Sequence, residues 1–98
     1  MTQRDSPAAQ QDVVVHLAPA LVRLFPEAER RVEVTASTVG EVMDALESRW
    51  PGMRDRLCDS APGIRRHINV FVDGERATLA TDLAPGTEVW VLTAISGG

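Results

Sequence analysis

Hydrophobic and polar positions change period several times along these 98 residues, and each change marks an element. Val13-Val14-Val15-His16-Leu17 is short and β-branched, which predicts a strand with Val13, Val15 and Leu17 on one face. Arg30-Arg31-Val32-Glu33-Val34 alternates polar and apolar and predicts a second strand with Val32 and Val34 inward, completing an opening hairpin. Between them, residues 18–26 are punctuated by Pro19 and Pro26 and read as a broad loop with its own apolar plug.

The period then becomes helical. Val39, Val42, Met43, Leu46 and Trp50 form one apolar face, while Asp44, Glu47 and Arg49 fall outside it. Thr38-Val39-Gly40-Glu41 fits a capping box, with the threonine hydroxyl accepting the third helical N–H and the glutamate reaching back to the N–H of the cap. Pro51-Gly52 ends the helix. A short helical turn is predicted over residues 53–58, before a break at Pro62-Gly63.

Alternation returns in His67-Ile68-Asn69-Val70-Phe71-Val72, followed by Asp73-Gly74, a strong hairpin signal, and a brief return strand, Glu75-Arg76-Ala77. Residues 79–83 connect to the turn Pro85-Gly86, which launches Thr87-Glu88-Val89-Trp90-Val91-Leu92-Thr93 as the final strand. The order strand, strand, helix, strand, short strand, strand predicts an α+β fold: a mixed sheet of about four to five strands with one main helix across one face. The last strand would sit centrally. Residues 1–12 are polar and aperiodic and read as a disordered leader, residues 13–95 as the folded domain, and residues 96–98 as a flexible arm.

Composition narrows the function. A formal charge of −4 and a sequence pI near 5.0 argue against nucleic acid or an anionic membrane as the partner and favour other proteins. One cysteine, Cys58, allows no intramolecular disulfide, and no apolar run resembles a signal peptide or a span, so the expected compartment is the cytoplasm. Cys58, His16 and His67 fall short of a metal-ligand spacing or a nucleophilic triad, and Cys58 reads as a small buried hydrophobe. All ten basic residues are arginine, so the chain offers no lysine to which an activated terminus could be joined.

The end of the chain carries the candidate chemistry. Gly97 and Gly98 lack Cβ atoms, so a tail ending in them can thread a narrow channel and present an unhindered carboxylate. With a reference pKa of about 3.3–3.7 that carboxylate is ionised at neutral pH and able to attack the α-phosphate of ATP, giving an acyl-adenylate.

The strand order, residues 65–75 (Arg-Arg-His-Ile-Asn-Val-Phe-Val-Asp-Gly-Glu), the turn Pro85-Gly86-Thr87-Glu88-Val89 and the terminal Gly97-Gly98 together resemble the MoaD/ThiS family of ubiquitin-like sulfur carriers, over residues 13–98. The resemblance implies a ubiquitin-like β-grasp fold and a carrier rather than an enzyme. It further implies an E1-like, ATP-dependent partner that adenylates Gly98, conversion to a thiocarboxylate, and a downstream biosynthetic enzyme that accepts the sulfur. ATP belongs to the activating partner, and the chain itself binds no cofactor. Ile95, Ser96 and Gly97 would line the partner's channel; Ser96 stands where many members have alanine, and Gly86-Thr87 where Gly-Asp is common. Residues 57–75 are more like carriers feeding cysteine or molybdopterin synthesis than thiamine carriers, and sulfur-containing natural products are a further destination. The alternative reading is a ubiquitin-like modifier joined through Gly98 to lysines of target proteins.

The final strand also predicts a face. If Val89 and Val91 point to the helix, Trp90 and Leu92 point away, and in the neighbouring strand Ile68, Val70 and Val72 point inward and Phe71 outward. Phe71, Trp90 and Leu92 then form an exposed apolar cluster near the root of the arm, a candidate partner-binding surface. The opposite register would bury Trp90 under the helix; the uniformly β-branched inward set favours the first.

Overall fold

A computed structural model describes residues 12–59 and 63–93. Its main sheet has five strands: β1 (Asp12–Leu17), β2 (Arg31–Thr35), β5 (Ile68–Val72), β6 (Glu75–Arg76) and β7 (Glu88–Thr93), in the order β2-β1-β7-β5-β6. The last strand is central. It runs parallel to β1 and antiparallel to β5, so the sheet is mixed as expected. β1 and β2 form the predicted antiparallel hairpin, with Val13 opposite Val34 and Val15 opposite Val32.

Period-2 alternation decides which side is core. Val13, Val15, Val70, Val89 and Val91 are at most 1% exposed, and across this face lies α2 (Val39–Arg49), burying Val39, Val42, Met43 and Leu46. Trp50 closes the helix as its C-terminal cap and is half-buried against the core. The Asp73-Gly74 turn joins β5 to β6 with φ of 54° and 82°, the paired left-handed conformations that a tight two-residue hairpin needs.

The start of α2 is tied to a distant segment. Its first N–H groups go to Thr81 C=O (from Val39, 3.0 Å), Leu79 C=O (from Gly40, 2.9 Å), Thr38 Oγ1 (from Glu41, 3.2 Å) and Thr38 C=O (from Val42, 3.1 Å). No donor in the first turn is orphaned, and the connection after β6 is fastened to the helix. The threonine half of the capping box is as expected. The glutamate half is corrected: the Glu41 carboxylate accepts from Ser37 N–H at 2.7 Å and Ser37 Oγ at 2.8 Å, one residue before the cap, and these bonds lower its pKa.

Three further differences have local causes. Residues 18–26 are not a loop throughout: α1 (Pro19–Leu24) is a short helix whose Leu21, 2% exposed, is the apolar plug. Pro19 sits in the first helical turn, where its missing N–H costs nothing, and Pro26 lies beyond the end, so the prolines bracket the helix instead of preventing it. Asp12, assigned to the leader, is the first residue of β1, where it pairs with Thr35 and its Oδ1 accepts from Thr35 Oγ1 at 3.0 Å. The remainder of the leader, residues 1–11, lies outside the described residues. The predicted turn at residues 53–58 is α3 (Met53–Leu57), and it runs into β3 (Cys58–Asp59), which pairs with β4 (Gly63–Ile64) in a two-stranded sheet that periodicity cannot show over so few residues.

Glu47 joins α2 to α3. The N-terminal cap of α3 is Gly52, at φ 98°, which has no side chain to offer, and the Glu47 carboxylate takes that role by accepting from Gly52 N–H at 3.1 Å and Arg54 N–H at 3.0 Å. The Gly52 bond first, then the Arg54 bond, hold its pKa below the ordinary 4.5, outweighing desolvation; the Arg54 charge adds to the lowering. A depressed folded-state pKa contributes stability that is present above the unfolded value and lost as pH falls through the folded one. The urea midpoint is therefore expected to drop as pH falls below about 4.5. Glu47→Gln should lower the midpoint at neutral pH and flatten that acid limb; a limb of unchanged depth would show that the carboxylate does not cap α3.

Candidate functional site

The sheet face opposite α2 carries one continuous row. Strand pairing aligns Arg31 of β2 with His16 of β1, His16 with Trp90 of β7, Trp90 with Phe71 of β5, and Phe71 with Arg76 of β6. Directly paired residues project to the same side of a sheet, so two arginines flank three rings. Trp90 is 43% exposed and Leu92 37%, Phe71 is half-buried, and Leu92 lies opposite Asn69 next to the row. The register with valines inward is the one the chain adopts, and it brings Phe71, Trp90 and Leu92 together.

His16 organises this face. Its ring stacks on Trp90 with centroids 3.8 Å apart and planes 11° from parallel. Its Nε2 lies 2.7 Å from Glu88 Oε1, and because an ionised carboxylate only accepts, the ring nitrogen donates. Glu88 is two residues before Trp90 in β7 and so projects to the same side. The indole is held flat against an imidazole that is itself fixed by a carboxylate, a rigid platform instead of a loose hydrophobe. Sequence alone reveals no role for His16, because its neighbour is set by the parallel β1–β7 register between opposite ends of the chain.

The root of the arm adjoins the platform. Thr93, the last residue of β7, pairs with Ile68, and Leu92 immediately precedes it on the exposed face. Ile95, Ser96, Gly97 and Gly98 lie outside the described residues. Elsewhere, Cys58 is 5% exposed and burial pushes its thiol pKa up, the condition of an unreactive thiol.

A single main helix across a five-stranded mixed sheet, with the final strand at its centre, defines a ubiquitin-like β-grasp domain. The chain belongs to the ThiS family, which it matches over residues 18–98. Among its relatives, the sulfur carrier protein CysO of Mycobacterium tuberculosis is 34% identical over 86 residues, covering 82% of this chain and 92% of the relative. Small archaeal modifier protein 1 of Haloferax volcanii is 36% identical over 69 residues, 69% of this chain and 79% of the relative. The crystal structure of the Amycolatopsis orientalis BexX/CysO complex contains a chain that superposes with a TM-score of 0.76 at 32% identity, covering 88% of this chain and 99% of that one. One of these relatives is named a carrier and another a modifier, and this chain, like them, is a small ubiquitin-like protein of the ThiS family and not a catalyst.

Removing the indole should be cheap for the fold. Trp90→Ala gives up a ring stack and a cross-strand aromatic pair, and should cost about 1–2 kcal/mol, against the ~3–5 kcal/mol typical of a buried aromatic. Urea unfolding of the variant checks it, and a loss at the upper figure would mean that Trp90 serves the core.

Proposed function

We propose that this chain carries sulfur on its C-terminal glycine. An oxygen of the Gly98 carboxylate attacks the α-phosphate of ATP on an E1-like partner and pyrophosphate leaves. Hydrosulfide supplied to that partner then adds to the acyl carbon, the bond to the AMP phosphate oxygen breaks and AMP leaves, so that the terminus is a thiocarboxylate. A biosynthetic enzyme takes the sulfur. The observation that carries the reading is the placement of Thr93: the central strand ends beside a rigid, exposed aromatic platform, so a partner that grips the platform can receive whatever follows the strand. The family match running through residue 98 supports it, as does the likeness to proteins named sulfur carriers.

In this reading Ile95, Ser96 and Gly97 lie in the partner's channel and Phe71, Trp90 and Leu92 on its docking surface. The chain holds no cofactor of its own, and ATP enters with the activating enzyme. The cytoplasm, where ATP is abundant, is the compartment in which we place this chemistry. The likeness to CysO proteins favours cysteine or another sulfur-containing metabolite as the destination, ahead of molybdopterin. A second reading, a modifier joined through Gly98 to lysines of other proteins, is favoured by the 36% identity to Small archaeal modifier protein 1.

Intact-mass measurement of the chain from its native cells separates the two. A carrier gains the mass of sulfur in place of oxygen at the terminus, whereas a modifier is found in covalent adducts with other proteins. Deleting Gly98 should leave the unfolding curve unchanged and abolish ATP–pyrophosphate exchange by the activating enzyme; exchange at the wild-type rate would overturn the carrier reading. Trp90→Ala should weaken binding to that enzyme by about 2 kcal/mol, measured by titration, because exposed tryptophans at interfaces carry a large share of the affinity.

A further inference from the structure

At one edge of the sheet the chain leaves early. β6 pairs with β5 at two positions, Phe71 with Arg76 and Val72 with Glu75, and beyond them the ladder continues as one bond, from Ala77 N–H to Val70 C=O at 2.7 Å. The following residues turn away to α2, where the carbonyls of Leu79 and Thr81 receive Gly40 and Val39 N–H. The first half of β5 therefore has β7 on one side and a groove of about 540 Å³ on the other. Half-buried Ile64 and Leu79 flank the groove, over a floor formed by the buried Ile68, Val70 and Ala77. Since Val70 C=O faces this edge, alternation turns the main-chain groups of Ile68 to it as well; its N–H is taken by Arg65 C=O at 2.9 Å, and its own carbonyl remains as an edge acceptor.

The charged side chains that line the groove are all arginines. Arg65, Arg66 and Arg76 line the groove and no carboxylate does, in a chain whose net charge is −4. Two of the guanidinium groups are fixed in place. Arg65 donates from Nε to Asp55 C=O at 2.7 Å and pairs through Nη1 with Asp59 at 3.3 Å, which offsets its charge, while Arg76 Nη2 donates to the neutral Asn69 Oδ1 at 2.6 Å and meets no carboxylate among the described residues. Arg66 meets no acidic group among the described residues. The opposite edge differs, because β2 there pairs Arg31 with Glu33 at 3.8 Å and its Glu33 carbonyl is taken by Arg49 Nη2 at 2.9 Å.

We propose that this groove docks an extended, carboxylate-bearing segment of a partner protein, which adds to the open edge of β5 as a further strand. Main-chain bonds to β5 set the register, alternate apolar side chains fill the groove, and the carboxylates meet the arginines. The edge lies where Ile68 pairs with Thr93, so the docked segment sits one strand away from the root of the arm. The proposal stands on the edge and its rim, and is independent of the chemistry at Gly98.

An NMR titration of the 15N-labelled full chain tests it, using a capped peptide of alternating glutamate and valine, the same peptide with lysine for glutamate, and inorganic phosphate. The glutamate peptide should give saturable shifts centred on the amides of Asn69, Val70 and Ala77, and the other two should not. Arg66→Glu together with Arg76→Glu should weaken binding about tenfold, with Arg66→Glu alone as the fallback if the double variant fails to fold. Shifts centred on Trp90 and Leu92, an equal response to the lysine peptide, the same shifts from phosphate, or no saturable response would each overturn it.

Discussion

The structure depends on β7 being central. Its Val89 and Val91 are fully buried, and it supplies hydrogen-bonding partners to β1 on one side and β5 on the other, so the two halves of the sheet meet only through it. α2 then covers the seam. Because a strand presents alternate residues to opposite faces, burying these two valines obliges Trp90 and Leu92 to stand outside. The exposed platform is the other face of the same core decision.

Exposure would ordinarily leave an indole free to sample several rotamers. Here the His16 stack and the Glu88 carboxylate behind it restrict the ring before any partner arrives. A side chain already held in its binding conformation loses less entropy on association, which is how a small domain with few aromatic residues can present a useful surface. Glu47 acts similarly in the fold, serving as a cap for a helix that begins on a glycine.

The fold was legible wherever a period extends over several residues. The alternation at Val32 and Val34, the stripe from Val39 to Leu46, and the Asp73-Gly74 turn each fixed an element, and the β-branched inward set fixed the face on which Trp90 stands. Shorter or longer relations were not legible. α1 is too brief to show a period and its prolines read as breaks; β3 and β4 have two residues each; the reach of Glu41 to Ser37 instead of Thr38 depends on a rotamer. His16 and the arginine rim belong to a third kind. Their neighbours are set by strand order, which joins residues far apart in the chain and leaves no local trace.

The parallel pairing of β1 with β7 ties the first strand to the last. The hairpins β1–β2 and β5–β6 are local, but until β7 is in place neither has its second neighbour and the inner face has no centre. A nascent chain that stops short of Thr93 is left with open strand edges and uncovered valines, the features by which chaperones and proteases recognise an unfinished protein. The last strand to be made is thus the one that completes both the sheet and its inner face.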